Sequence, residues 1–468
     1  MDSNRLVARN DAPVRPERAY VLYWMIAARR SASNFALDRA IEHARELGKP
    51  LVVLEGLKSD APYSSARFHR FVLDGMRDQR DAFAQSPVTY YPYVEPRSGE
   101  DRGLLACLAE NACLVVADDF PGRMQRALVR SAAAQLDVLV EAVDSCGVLP
   151  IRTFDRRYVR AFDYRRHAKP LWSAGTEAPE ADPLKGLDLP RLDALPGKVV
   201  SHWPAATDAL LDNSAGLEQL PIDQSIPPVA LRGGQTAARE RLASFLEDVL
   251  PLYGDKRGHP SIASGLSPHL HFGHIGAHEV QRAAASAPEE LAEPFLDQLL
   301  TWRELCYHFA HHTPDHDRYE SLPDWAKKTL AEHADDPRES VYTPRQFEEA
   351  QTHDELWNAA QRQLRRDGMI DNYLRMLWGK KILHWSPSPE RAFQTMVELN
   401  DRYAVDGRDP NSYGGIGWVL GRFDRPWGPE REIFGRIRYM TSDSARRKFK
   451  LNDYIERYAE TAAPGLFA

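Results

Sequence analysis

Short apolar runs and amphipathic stretches alternate through the first third of the chain. The runs are "YVLYWM", "PLVVLEGL", "VTYYPYV", "ACLVVADD" and "VLVEAVD". Between them, "FALDRAIEHARELG", "FHRFVLDGMRDQRDAFA", a stretch near 101 to 111 and "MQRALVRSAAAQL" place apolar residues at helical spacing. Apolar runs of strand length separated by amphipathic helices predict βα units in a parallel sheet buried on both faces. Residues 1–168 are therefore expected to form a doubly wound α/β domain. It has neither G-x-G-x-x-G nor G-x-x-x-x-G-K-[ST], so the usual phosphate loops are missing.

From 169 to 232 the pattern dissolves into proline, aspartate and small residues, which predicts a linker. From 233 to 468 the helical repeat dominates, in "TAARERLASFLEDVLPLY", "AHEVQRAAASA", "FLDQLLTWRELCYHFAHH", "HDELWNAAQRQLRRD", "DNYLRMLWGKKILHW" and "SPERAFQTMVELNDRYA". The architecture expected is an α/β domain, a linker and an all-helical domain.

Composition narrows the function classes. With 468 residues, 43% hydrophobic and 27% charged, the chain suits a globular protein of more than one domain. No apolar run approaches the roughly 18 residues of a membrane span, and the first residues lack a secretory h-region, so a cytoplasmic protein is expected, nucleoid-associated if bacterial. Cys107, Cys113, Cys146 and Cys306 form no CxxC, which suits reduced thiols. A net charge of −7 means that any nucleic-acid surface must be local.

Several segments hold candidate chemistry. In "SGLSPHLHFGHIG", Ser267 followed by Pro268 reads as N-cap and N1 of a helix whose free N–H groups could face an anion, although a capped helix binding nothing explains the fragment equally. His269, His271, His274 and His278, and likewise His308, His311 and His312, lack companion ligands at metal spacing, so no metal site is expected. Glu304 stands among Leu299, Leu300, Leu305 and Phe309 and needs either its neighbour Arg303 or a ligand. Leu374, Leu377, Trp378, Ile382 and Trp385 form one buried helical stripe, and Gly368 breaks it from the helix before. Core packing accounts for each indole singly and leaves the repeated choice of the largest side chain unexplained.

Taken together, "SGLSPHLHFG", "WREL", "LWNAAQRQL", "LRMLWGKKILHW", "LNDRYAVDGRDPNSYGGIGW" and "DRPWGPEREIFGRIRYM" resemble the class II cyclobutane pyrimidine dimer DNA photolyases of the photolyase and cryptochrome superfamily. The likeness runs from "APVRPERAYVLYWM" to near the end of the chain and is weakest in the linker. It implies an α/β domain followed by a helical domain that holds FAD, and a light-driven lyase. In that family, reduced flavin passes an electron to a pyrimidine dimer in DNA and recovers it after the ring opens.

The resemblance also implies roles. Tyr253, Ser264, Gly265, Leu266 and Ser267 would grip FAD, Asn400 would lie beside flavin N5, and Arg375 with Asp406 would form the ion pair at the isoalloxazine. Glu304 would hydrogen-bond the dimer's bases, with Met376 and Trp418 lining the lesion pocket. Trp378, Trp357 and Trp385, in that order from the flavin, would refill it with electrons from the protein surface. Arg436, Arg438, Arg446, Arg447, Lys448 and Lys450 would meet the DNA backbone, and base flipping is expected of photolyases in general.

Three segments depart from the family pattern: "IAARRSASNFAL", Asp371 with Asn372, and "CYHFAHH". The alternative reading is a cryptochrome-like blue-light photosensor that signals through a protein partner; Glu304 and an end soon after "RRKFK" favour repair. No motif decides whether an antenna chromophore, a deazaflavin or a folate, sits in the α/β domain. A monomer without membrane contact is expected.

Overall fold

The computed structural model describes residues 1–173, 177–256, 258–260 and 262–459. The chain forms two compact units: Met1–Tyr158 with Phe162–Pro251 and Ser264–Pro314, and Val159–Ala161 with Leu252–Ala263 and everything from Asp315 onward. These units do not follow the expected boundaries at 168 and 232. The Gly234–Ser244 helix and the helices from Ser267 to His312 belong to the unit that contains the sheet, because the divide follows packing and ignores the proline-rich stretch.

The first unit holds a six-stranded sheet: β1 (Leu6–Ala8), β2 (Tyr20–Met25), β3 (Leu51–Leu57), β4 (Thr89–Val94), β5 (Ala112–Asp118) and β6 (Val140–Val143), in the order β1-β6-β5-β2-β3-β4. The five strands predicted from their apolar runs are all parallel. The parallel sheet expected is extended at its edge by β1, which pairs antiparallel with β6. "LVA" is too short and too exposed to give a periodic signal.

Strand order reverses between β2 and β5, and in open α/β sheets ligands favour the crevice beyond such a point. Here the crevice is occupied by the protein's own chain. Asp118 accepts hydrogen bonds from the backbone N–H groups of Ile26, Ala27 and Ala28 at 2.8, 2.7 and 2.9 Å, and from the Tyr23 hydroxyl at 2.8 Å. Asn34 caps the Phe35–Leu47 helix and donates to Tyr23 Oη and the carbonyls of Ala28 and Arg30. The segment "IAARRSASN" is thereby fixed by buried polar groups.

The proline-rich stretch is packed where it is described. Val199 and Trp203 join the core beneath β2, β3 and β5, and the Trp203 indole donates to the Glu100 carbonyl at 2.7 Å. Leu211 and Leu217 pack with Leu73 and Met76. Part of this stretch, 174–176, lies outside the described residues.

The second unit is helical among its described residues. Glu355–Asp367, Asn372–Trp385, Pro389–Tyr403 and Pro410–Val419 are its principal helices. Asp354 caps the first of them, and Gly368, at φ 72°, ends it in the left-handed conformation. The predicted stripe on Asn372–Trp385 is buried, but so are Met376, Gly379, Lys380 and Leu383 on its other sides. A helix enclosed all round has no single apolar face. No described helix is long and apolar enough to cross a membrane.

Candidate functional site

In the helical unit, two helices bring the tryptophans together. Trp357, Trp378 and Trp385 are 1, 2 and 3% exposed. The Trp357 indole N–H donates to the Trp378 carbonyl at 3.0 Å, and the Trp357 and Trp385 rings meet edge to face at 6.0 Å between centroids. The Trp378 indole donates to Gln361 Oε1 at 2.9 Å. Gln361 lies one helical turn after Trp357, so the i,i+4 spacing in "LWNAAQRQL" contained this pairing. Trp385, last in the expected series, is enclosed like the other two.

Beside Trp378 on the same helix, Arg375 forms a two-pronged pair with Asp406, at 3.0 Å to Oδ1 and 3.3 Å to Oδ2. The Asn400 side chain donates to Asp401 Oδ1 at 3.1 Å and Ser412 Oγ at 3.3 Å, while Ser412 donates to the Asp406 carbonyl at 2.8 Å. Asn400, Ser412, Asp406 and Arg375 thus form one connected group. Burial pushes the Asp371 carboxyl up to about 7 although the Arg375 charge opposes it. Tyr253 is buried.

Met376 is buried, and its methyl would stand 3.8 Å from a Cβ at Gly415 on the Pro410–Val419 helix. Trp418, on that helix, is partly exposed, with the Arg438 guanidinium 5.9 Å from its ring and 5.1 Å from that of Trp427. Arg436, Arg438, Arg446, Arg447, Lys448 and Lys450 are all exposed. Arg446 approaches Glu355 at 3.6 Å, and Lys448 lies 4.8 Å from the Tyr373 ring centre. Cations interleaved with aromatic rings form a surface suited to phosphates and bases.

Glu304 belongs to the sheet-containing unit. It opens the Glu304–His312 helix directly after a wide π-helical turn, Gln298–Arg303, a feature that re-aims side chains. Its carboxyl is buried and accepts from the backbone N–H groups of Val148 and Leu149, the latter at 3.3 Å. Desolvation outweighs those bonds and pushes it up to about 7. Arg303, the expected neighbour, donates instead to the Cys146 carbonyl at 2.9 Å and lies over Tyr307. Buried Arg5 holds the other side of the loop through the carbonyls of Asp144, Gly147 and Val148. No sequence pattern linked Arg5 to Glu304, which hold the same loop from its two sides.

The histidines anchor backbone. His308 meets the carbonyls of Ile151 and Arg156, and His312 that of Phe154, so "CYHFAHH" staples the 151–156 segment. Burial lowers His269 to about 4 and His278 to about 3, keeping both neutral. Gly273, at φ +71°, brings the chain so close to Ala27 that a Cβ would stand 1.9 Å from its carbonyl oxygen. The expected Ser267 cap is shifted by one residue: Leu266 is the N-cap and Ser267 begins a five-residue helix. In the preceding loop, Arg241 Nε donates to the Ser264 carbonyl at 2.6 Å.

No protein-family model matches the chain. The chain is 37% identical over 451 residues to a deoxyribodipyrimidine photo-lyase of Methanothermobacter thermautotrophicus, covering 94% of each. It is 33% identical over 456 residues to one of Oryza sativa, covering 93% of this chain and 86% of the relative. Among solved structures, a class III photolyase from Agrobacterium tumefaciens shares the fold with a TM-score of 0.66 and 21% identity, covering 94% of this chain and 86% of the other. The full-length likeness to the first two shows that the chain belongs to the deoxyribodipyrimidine photo-lyase family.

Proposed function

We propose that the chain is a light-dependent DNA repair enzyme of class II type that splits cyclobutane pyrimidine dimers. The observation that carries this reading is the enclosed series Trp378, Trp357 and Trp385 beside the group formed by Arg375, Asp406, Ser412 and Asn400. The donor set suits a flavin: a guanidinium fixed by its carboxylate, next to a buried carboxamide, can face a planar polar ring that gains negative charge. FAD, when bound, supplies the electron that opens the cyclobutane ring.

The protein's residues then have separate tasks. Arg375, held by Asp406, places positive charge at the ring, and Asn400, held by Asp401 and Ser412, presents a fixed carboxamide to it. Tyr253, Ser264, Gly265, Leu266 and Ser267 complete the proposed FAD contacts. Glu304, whose proton is retained to about pH 7, offers an O–H to a base carbonyl, while Met376 and Trp418 pack against the dimer. The exposed cations from Arg436 to Lys450 engage phosphates.

Pre-reduced, flavin-loaded protein is expected to remove a cyclobutane thymine dimer from a short oligonucleotide in blue light and not in the dark. Bound, reducible flavin without repair would defeat the reading. Trp378→Phe is expected to abolish photoreduction of bound oxidised flavin while leaving the fold intact. Unchanged photoreduction in that variant would remove the tryptophan series from the mechanism.

A further inference from the structure

Trp385, the outermost indole of the series, is only 3% exposed, so an electron entering from solvent must pass another group. Two rings cover it, Tyr342 at 5.7 Å and His353 at 5.0 Å between centroids. The Tyr342 backbone N–H donates to the Trp385 carbonyl at 3.0 Å, which fixes the two residues together. Tyr342 Oη lies 2.6 Å from His353 Nδ1 and accepts from the His353 backbone N–H at 3.0 Å. With His353 protonated at Nε2, Nδ1 accepts and the phenol proton is aimed at that nitrogen. His353 is exposed and Tyr342 partly buried.

We propose that Tyr342 and His353 form a proton-coupled relay that carries oxidising equivalents from Trp385 to the surface; this rests on the tryptophan series acting as proposed above. The input is the Trp385 indole radical cation. One electron passes from Tyr342 to that indole, and the phenol proton passes to His353 Nδ1. Trp385 returns to a neutral indole, Tyr342 becomes a neutral tyrosyl radical, and His353 becomes an imidazolium. One positive charge is present before and after. An external thiol or ascorbate then supplies the electron that restores Tyr342, which recovers its proton from His353.

Local electrostatics favour the outward move. The Lys381 ammonium stands 5.0 Å from the Trp385 ring centre, and although it approaches Asp354 at 3.4 Å it opposes a second positive charge on the indole. The relay places that charge on an exposed imidazole, where water solvates it. The imidazole needs Nδ1 free to accept, which leaves Nε2 as the protonated nitrogen.

Transient absorption and electron paramagnetic resonance on the full flavin-loaded chain test the relay. The wild type is expected to show an indole radical replaced by a tyrosyl radical, whose resonance narrows when tyrosine is ring-deuterated. Tyr342→Phe keeps the ring packing and is expected to form the indole radical normally and to lose the tyrosyl signal. His353→Leu is expected to slow tyrosine oxidation and to abolish its solvent deuterium dependence. Normal indole radical formation with the same decay in wild type and Tyr342→Phe would overturn the relay alone. Absence of any indole radical in the wild type would overturn the tryptophan series and the relay with it.

Discussion

The two units treat buried polar groups differently. In the sheet-containing unit, beside side-chain pairs such as Arg29 with Glu55 and His43 with Glu141, a set of such groups is taken up by backbone: Asp118 takes three N–H groups, Glu304 takes two, Arg5 three carbonyls, and His308 and His312 another three. In the helical unit the group around Arg375 and Trp378 is built from side-chain pairs, Arg375 with Asp406, Asn400 with Ser412 and Gln361 with Trp378. Backbone partners fix loops between strands, where no ladder satisfies the chain. Side-chain partners leave helices intact and create polar surfaces inside them. Backbone partners in the first unit hold its loops in shape, and side-chain pairing in the second leaves a connected polar group beside the buried indoles.

The largest effect that could break this contrast is at the strand-order reversal. Asp118→Ala leaves three N–H groups, one buried and two partly buried, and the buried Tyr23 hydroxyl without their acceptor and is expected to cost on the order of 3 kcal/mol, read as a shift in the denaturant midpoint. A loss below about 1 kcal/mol would mean that water or another group serves that crevice as well.

Glu304 gives the next effect, and its sign distinguishes it from a salt-bridged acid. Its pKa rises from 4.5 to about 7 on folding, so the unfolded chain releases the proton first as pH rises. Its contribution to stability is full below about pH 4.5 and falls as pH rises to about 7, by about 3 kcal/mol in all. Glu304→Gln is expected to flatten stability across that window. An unaltered pH profile would show that the carboxyl is better solvated than its burial implies.

Lys380 departs from that pattern within the helical unit, because it is buried with the Val419 carbonyl as its hydrogen-bond partner. Burial lowers it from 10.5 to about 7, so the folded protein holds the proton less tightly than the unfolded chain. Stability from this group therefore grows as pH rises from about 7 to 10.5. Lys380→Met removes the ammonium and leaves one carbonyl unpaired, with an expected gain of about 1–3 kcal/mol at neutral pH that shrinks toward alkaline pH. Destabilisation at neutral pH would show that holding the end of the helix bearing Trp418 outweighs the cost of burial.

The sequence revealed the parts of this contrast that rest on repetition. Strands β2 to β6 announce themselves because both faces are buried, and the stripe from Leu374 to Trp385 because its helix is packed. Gly368 marks a helix end by local chemistry alone. What escaped notice is non-periodic or distant: β1 is three residues long, and Arg5 and Glu304 meet through a loop remote from both. The enclosed position of Trp385 was equally hidden, because Tyr342 and His353 reach it from a separate turn. Spacing names residues that share an element and is silent on those that close over it from elsewhere.

The smallest effect tests whether that turn matters. Thr343 follows Tyr342 and caps the Pro344–Glu348 helix in a reciprocal box, accepting from the Gln346 N–H while Gln346 Oε1 accepts from the Thr343 N–H. Removing the hydroxyl in Thr343→Ala is expected to cost about 1 kcal/mol or less, because the helix is short and the cap exposed. The cost falls on the residues that set the direction of the Tyr342 backbone, so the Tyr342 to His353 bond should lengthen or be made less often. Tyrosyl radical yield should therefore fall while indole radical formation is unchanged, since Trp357 lies on the Glu355–Asp367 helix and Trp378 and Trp385 on the Asn372–Trp385 helix, neither of which Thr343 caps. A tyrosyl yield equal to that of the wild type would place the rigidity of the pair in Trp385 itself, through its carbonyl bond to the Tyr342 N–H, and would make the second helical turn of that contact the next residue set to change.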